Sequence, residues 1–346
     1  MKSGYVAIST KIRAMYAGHL EIADYEQLLK KNSVGEICAY LKQSAEFKEA
    51  LQNVNELNVH RGDLETSLEQ IFKNHYSGLY NFADLQKKRM LRFIFMKEEL
   101  DFLKRAVMYA MSEESETNLR IPYPGDAFFQ QHTRIDLEAV KRAGSLSDIV
   151  EGCRDTPYYD ILNRVSMNAS DPATVLMLLD RYYFERLWRA KNRYVEKAGR
   201  EAFTRYIGSD IDALNVLWIY RCKKYFKTSN EFIYTYIIPI YYHLSEADIA
   251  GMVDAQDLGA CEQAIRNTTY AYLLDRTNGT AFMDGNYARK RYQAAKKAYQ
   301  LHPLSMTEIF AFFDLKAIEL ANVKTIIEGI RYQVDPQTIR ENIYIG

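Results

Sequence analysis

The chain is short of nearly everything that interrupts or cross-links a protein. Its 346 residues include only seven prolines, 16 glycines and four cysteines. So few breakers leave room for long, unbroken helices. The cysteines (Cys38, Cys153, Cys222 and Cys261) are scattered without a Cys-x-x-Cys pair. That pattern predicts reduced, buried thiols in a cytosolic protein. Charge of one sign is not in excess either, since 45 Lys and Arg face 45 Asp and Glu. A broad basic field for nucleic acid is thereby excluded, and only local patches remain. The most apolar stretch, Phe232 to Leu244, is too short to span a bilayer and contains Pro239. The first 19 residues have no apolar core and no small-residue cleavage site, so no secretory signal is expected. Any membrane association is predicted to be peripheral.

Catalytic signatures are missing as well. No G-x-x-x-x-G-K-S/T or G-x-G-x-x-G cradle occurs, and no H-E-x-x-H or G-x-S-x-G. None of the six histidines follows a glutamate by three residues, which removes the usual di-iron bundle pattern, and no DDxxD is present. Glu98-Glu99 and Glu113-Glu114 sit among basic residues and read as solvated helix faces. No catalytic residue, cofactor-binding residue or metal ligand is predicted.

What is present is helical spacing and repetition. Ile211, Leu214, Trp218, Cys222 and Tyr225 form one apolar stripe, and Leu320, Val323, Ile327 and Ile330 form another. No stretch alternates like a strand, so the fold class is all-α. The 27 tyrosines suit helix interfaces, covering apolar area while keeping a hydroxyl for a polar partner.

Two phrases recur. Ser33-x-x-Glu36-Ile37, Ser145-x-x-Asp148-Ile149 and Ser245-x-x-Asp248-Ile249 each read as a helix start. There the serine hydroxyl accepts a backbone N–H, and the acid can reach back to the serine N–H. Downstream come Glu98-x-x-Asp101-Phe102, Asp212-x-x-Asn215-Val216 and Glu319-x-x-Asn322-Val323. Both phrases repeat roughly every hundred residues, which predicts three tandem, related helical domains over 1–118, 119–226 and 227–346. Breaks are expected at Ser112 to Asp126, Lys227 to Glu231 and Asn278 to Gly285. One irregularity stands out. Thr156 follows Ser145 by 11 positions, whereas the similar Thr268 follows Ser245 by 23.

Asn215 and Asn322 lie in otherwise apolar helices, where they either bond to a neighbouring helix or border the solvent face. Cations gather toward the ends of the same helices: Lys104 and Arg105, then Arg221, Lys223 and Lys224, then Arg331. They complement the helix dipoles. They are also the candidate partner-interface residues, if three related helix ends meet one shared partner.

At this point the chain resembles the C-subunit family of V/A-type ATPases, which corresponds to the d subunit of the eukaryotic vacuolar proton pump. The likeness rests on Glu319-Leu-Ala-Asn322-Val323 through Arg331, then Asp335-Pro336 and the Asn342-Ile-Tyr-Ile tail. It rests also on Asp212-Ala-Leu-Asn215-Val216 through Arg221-Cys-Lys223, on Tyr5 to Met15, and on Asp24-Tyr25-Glu26-Gln-Leu28. Cys222 stands where many relatives have glycine, and Asp101 stands where asparagine is usual. The resemblance implies a funnel of three pseudo-symmetric helical domains and a non-catalytic rotor part without cofactor. It implies central axle subunits and the membrane proteolipid (c/K) ring as partners, with one monomeric copy per complex, peripheral on the cytoplasmic face. A cytosolic α-helical repeat scaffold is the alternative, although a period near a hundred residues is long for one. A helical enzyme whose site leaves no short motif is a third reading.

Overall fold

Short polar side chains ahead of apolar runs decide where the helices begin. The computed structural model describes residues 3–59, 61–111, 127–166, 172–276 and 282–345, and these form helices and no strand. The first helices are α1 (Ser3–Tyr16), α2 (Ile22–Leu28), α3 (Val34–Leu41), α4 (Ala45–Leu51), α5 (Arg61–Phe82) and α6 (Leu85–Ala110). There follow α7 (Ala127–His132), α8 (Leu137–Lys141), α9 (Leu146–Gly152), α10 (Tyr159–Ser166), α11 (Pro172–Tyr194) and α12 (Lys197–Arg221). The last are α13 (Asn230–Tyr236), α14 (Glu246–Val253), α15 (Leu258–Arg266), α16 (Phe282–Leu301), α17 (Met306–Arg331) and α18 (Pro336–Glu341).

These helices gather into two compact units. The first comprises Met1–Lys88, Val195–Tyr206 and Leu273–Gly346, and the second Arg89–Tyr194 and Ile207–Tyr272. In the first unit α17 is the central helix, in contact with α1, α3, α5, α16 and α18. It is buried almost all round, from Met306 and Ile309 to Ile326 and Ile327, as an interior helix should be. In the second unit α8 to α11 pack in sequence, and α11 contacts α13, which leads into α14 and α15. Phe102, Ile149, Val175, Ile211, Val216 and Ile265 lie in its core.

Helix caps do recur at even spacing, but in a different register from the serine phrases. Ser33, Ser145 and Asp257 cap α3, α9 and α15, and each side chain accepts the N–H three residues on, from Glu36, Asp148 and Ala260. These caps are spaced evenly, 112 residues from 33 to 145 and 112 from 145 to 257. Eleven residues after each come Ser44, Thr156 and Thr268, and two further on Glu46, Tyr158 and Tyr270. Ser245 does start a helix, with Asp248 returning to its N–H at 2.8 Å, but that helix is α14, one element earlier. It corresponds to α8, capped by Asp136, and to α2, where Asp24 accepts the Glu21 N–H. The extra spacing in the third copy therefore vanishes. At the other two serines the acid reaches one residue further back, to Asn32 N–H at Ser33 and Gly144 N–H at Ser145.

Two local expectations need correcting. Tyr225 does not extend the α12 stripe. The helix gives way to a π-helical turn, Cys222–Phe226, closed by Lys227 in the left-handed region (φ 49°), and Tyr225 is 61% exposed. The expected loop at Asn278 to Gly285 is helical from Phe282 onward, and residues 277–281 lie outside the described set. The break predicted at Ser112 to Asp126 also lies outside it.

Candidate functional site

Inward-facing carboxylates on α6, α12 and α17 hold segments of their own chain in place. On α12, Asp212 is fully buried and accepts the N–H groups of Tyr242 (2.9 Å), His243 (2.6 Å) and Leu244 (3.1 Å). The Tyr270 hydroxyl adds a fourth bond at 2.9 Å. One turn on, Asn215 donates to the Ile238 carbonyl and accepts its N–H, both at 2.9 Å. The carboxylate oxygens thus hold the segment that leads into α14. Charge-assisted bonds of this kind are about twice as strong as neutral ones.

The same device recurs on α17. Glu319 accepts the Leu20 N–H at 2.5 Å, and Asn322 makes the two-point amide bond with Tyr344, at 2.8 and 2.9 Å. Both asparagines therefore clasp the backbone of extended segments rather than a neighbouring helix. On α6 the inward acid is Glu99, not Glu98. It accepts the hydroxyls of Thr133 and Tyr158, both at 2.6 Å. Glu99 is consequently no solvated face, and burial raises its carboxyl above the usual range. Tyr158 and Tyr270 occupy equivalent positions and meet equivalent acids. Each follows a threonine whose hydroxyl accepts the tyrosine N–H, at 3.1 Å in both copies.

The third equivalent position carries Glu46 instead of tyrosine, which would set two carboxylates against each other. Lys316, with no exposed side chain, lies between them, bonded to Glu46 at 2.9 Å and also to Glu319. His75 bonds Glu46 at 3.1 Å, and His75 and Lys316 hold the Glu46 carboxyl below its usual range although burial opposes them. Among the described residues no group of three or more His, Cys, Asp or Glu is placed to hold a metal.

The six candidate interface cations have varied surroundings. Lys104 is paired with Asp180 of α11, and Lys223 donates to the Ala255 carbonyl at 2.9 Å. Arg105 is exposed on α6. Arg221 lies 5.1 Å over the Trp218 ring, and Lys224 4.8 Å over Tyr225. Arg331 is exposed at the end of α17, 5.2 Å over the Tyr332 ring. Sequence spacing gave no sign of the apolar company of these cations. Met108 is exposed on α6, Tyr225 and Phe226 after α12, and Tyr332 and Val334 after α17. Aromatic and basic groups side by side have the composition of protein interfaces.

Fold and site together define a helical protein whose interior charges hold its own segments in place. The ATP synthase (C/AC39) subunit family matches residues 8–342, and the chain belongs to that family of rotary-ATPase subunits. It is 22% identical to the C subunit of the A-type ATP synthase of Methanocaldococcus jannaschii, over 97% of this chain and 85% of that protein. Against the corresponding A-type ATP synthase C subunit of Methanosphaera stadtmanae the identity is 21%, over 94% and 84%. Among the described residues no helix is long and apolar enough to cross a membrane.

Proposed function

We propose that the chain is the non-catalytic central-stalk adaptor of a rotary ATPase, joining the axle subunits to the membrane proteolipid ring. In this reading it acts as one copy per complex on the cytoplasmic face of the membrane. Its three tandem domains, 1–118, 119–226 and 227–346, form the funnel that receives the axle. The observation that carries the reading is the repeated clasp. Glu99, Asp212 and Glu319 are all occupied by donors from their own chain, an arrangement suited to transmitting force rather than to binding a substrate. Such a part must not slip, so its partner contacts together should exceed the ~1,200–2,000 Å² of standard interfaces. The cations and exposed apolar groups after α12 and α17 and on α6 are the proposed contacts.

Replacing Arg105, Lys224 and Arg331 together by glutamate tests this. Co-purification with axle and ring subunits is expected to fall at least tenfold, with an unchanged helical circular dichroism spectrum. Undiminished assembly of a folded triple variant would remove these residues from the interface. Failure of the parent chain to bind either axle or ring would end the adaptor reading itself.

A further inference from the structure

The closing turns of α12 and α17 differ by one residue. Ten positions on from Asp212 stands Cys222, and ten on from Glu319 stands Gly329. The Gly329 carbonyl accepts the N–H of Val334, five residues on, at 2.8 Å, and the left-handed residue there is Gln333 (φ 54°). The Cys222 carbonyl accepts the N–H of Thr228, six residues on, at 3.3 Å, and the left-handed residue is Lys227. The extra residue widens the end of α12 into its π-helical turn, a form that frequently marks functional sites. It leaves Tyr225 and Phe226, neighbours in sequence, both exposed.

Charge around this pair is lopsided. Arg221, Lys223, Lys224 and Lys227 fall within seven residues, and the chain has no acid between Asp212 and Glu231. The helix end opposes them with only about half a negative charge. Acids on the neighbouring elements of the same unit are engaged. Glu231 bonds Ser229 and its own backbone at the start of α13, and Asp254 accepts from Asn230 and Tyr234. Asp257 caps α15, and Glu262 meets the Tyr220 hydroxyl at 3.3 Å and Arg266 at 3.9 Å. The other two helix ends have no such excess. Lys104 of α6 is paired with Asp180, and around the end of α17 Arg331 and Arg340 alternate with Glu328, Asp335 and Glu341.

Three lysines so close together are unlike the core of a protein interface, where lysine is depleted. Exposed rings beside a block of cations suit an anionic membrane surface instead. Rings seat at the level of the headgroups, and Lys and Arg meet the phosphates. We propose that the π-helical turn of α12 binds anionic lipid headgroups, with Tyr225 and Phe226 seated among them and Lys224 and Lys227 on their phosphates, an inference that rests on the adaptor reading to bring this turn to the membrane. The lipid contact adds to the protein contacts of the adaptor and orients the second unit on the bilayer beside the ring.

Co-sedimentation of the full chain with vesicles tests this. Phosphatidylcholine vesicles containing phosphatidylglycerol should carry the parent down, pure phosphatidylcholine should not, and raised salt should weaken the binding. K224Q combined with K227N, asparagine being tolerated in the left-handed conformation, should lower the partition coefficient at least about tenfold. Y225S combined with F226S should weaken binding too, with the charge untouched. R142Q combined with R154Q removes two exposed cations elsewhere in the same unit and should change nothing. A parent that ignores the acidic vesicles, a control pair as damaging as the Lys224 and Lys227 pair, or tighter binding to a single-stranded oligonucleotide than to vesicles overturns the proposal. So does loss of ring-subunit co-purification in the Tyr225 and Phe226 pair at unchanged vesicle binding, which would assign the turn to a protein partner. A parent that co-purifies with axle and ring but ignores the vesicles would end the lipid contact and leave the adaptor reading standing.

Discussion

Tyr270→Phe isolates one bond of the Asp212 clasp. Both residues are buried, Tyr270 3% and Asp212 0% exposed, and their oxygens lie 2.9 Å apart. The substitution leaves the ring to fill its space. It also leaves Asp212 with three backbone N–H donors, so no charge is stranded. The loss is then one hydrogen bond to a charged acceptor, about 1.5–3 kcal/mol. Asp212→Ala is a different perturbation, because it strands the N–H groups of Tyr242, His243 and Leu244 together with the Tyr270 hydroxyl. At about 1–3 kcal/mol per unsatisfied buried donor, it belongs in the tail beyond about 4–5 kcal/mol. Both tryptophans, Trp188 and Trp218, lie in the same compact unit as the clasp, so fluorescence-monitored urea unfolding reports on it directly. The Tyr270→Phe midpoint should drop with an unchanged slope. Tyr158→Phe, which meets Glu99 in the equivalent place, should lose a similar amount. A Tyr270→Phe loss below about 0.5 kcal/mol, or a loss equal to that of Asp212→Ala, would refute this account of the clasp.

Asn215→Ala frees the N–H and carbonyl of buried Ile238 and should cost about 2–4 kcal/mol in the same unfolding assay, and Asn322→Ala should speed amide exchange at Tyr344. Gly208→Ala would put a methyl group 2.6 Å from the Tyr242 ring, beside the Asp212 clasp, and should cost about 1–3 kcal/mol by overpacking, read as a lowered urea midpoint.

The helical class and the helix starts were legible because caps and apolar spacing act locally. Ser33, Ser145 and Ser245 all begin helices. Their alignment as one repeated phrase was not legible, because a cap is defined by an oxygen and not by a residue name. Asp257 performs in the third copy what serine performs in the other two, and its N3 residue is Ala260 rather than an acid. A better signal was available. His19-Leu20-x-x-Ala23-Asp24 returns as His243-Leu244-x-x-Ala247-Asp248, and Thr156-x-Tyr158 returns as Thr268-x-Tyr270. Glu98 and Glu99 could not be separated by spacing alone, since the choice depends on where the distant Thr133 and Tyr158 fall. Lys316 was equally hidden. It reads as one more helix cation until Glu46 is known to occupy the place of a tyrosine.

The first compact unit is completed only by α16 to α18, because α17 supplies Glu319 for Leu20 and Lys316 for Glu46. On the ribosome, residues 3–88 must therefore wait for α17 to emerge before their native partners exist. The other unit has all its residues available once Tyr272 has left the exit tunnel. The second unit should therefore mature before the first, and a truncation that removes α17 should also unsettle α1 to α4.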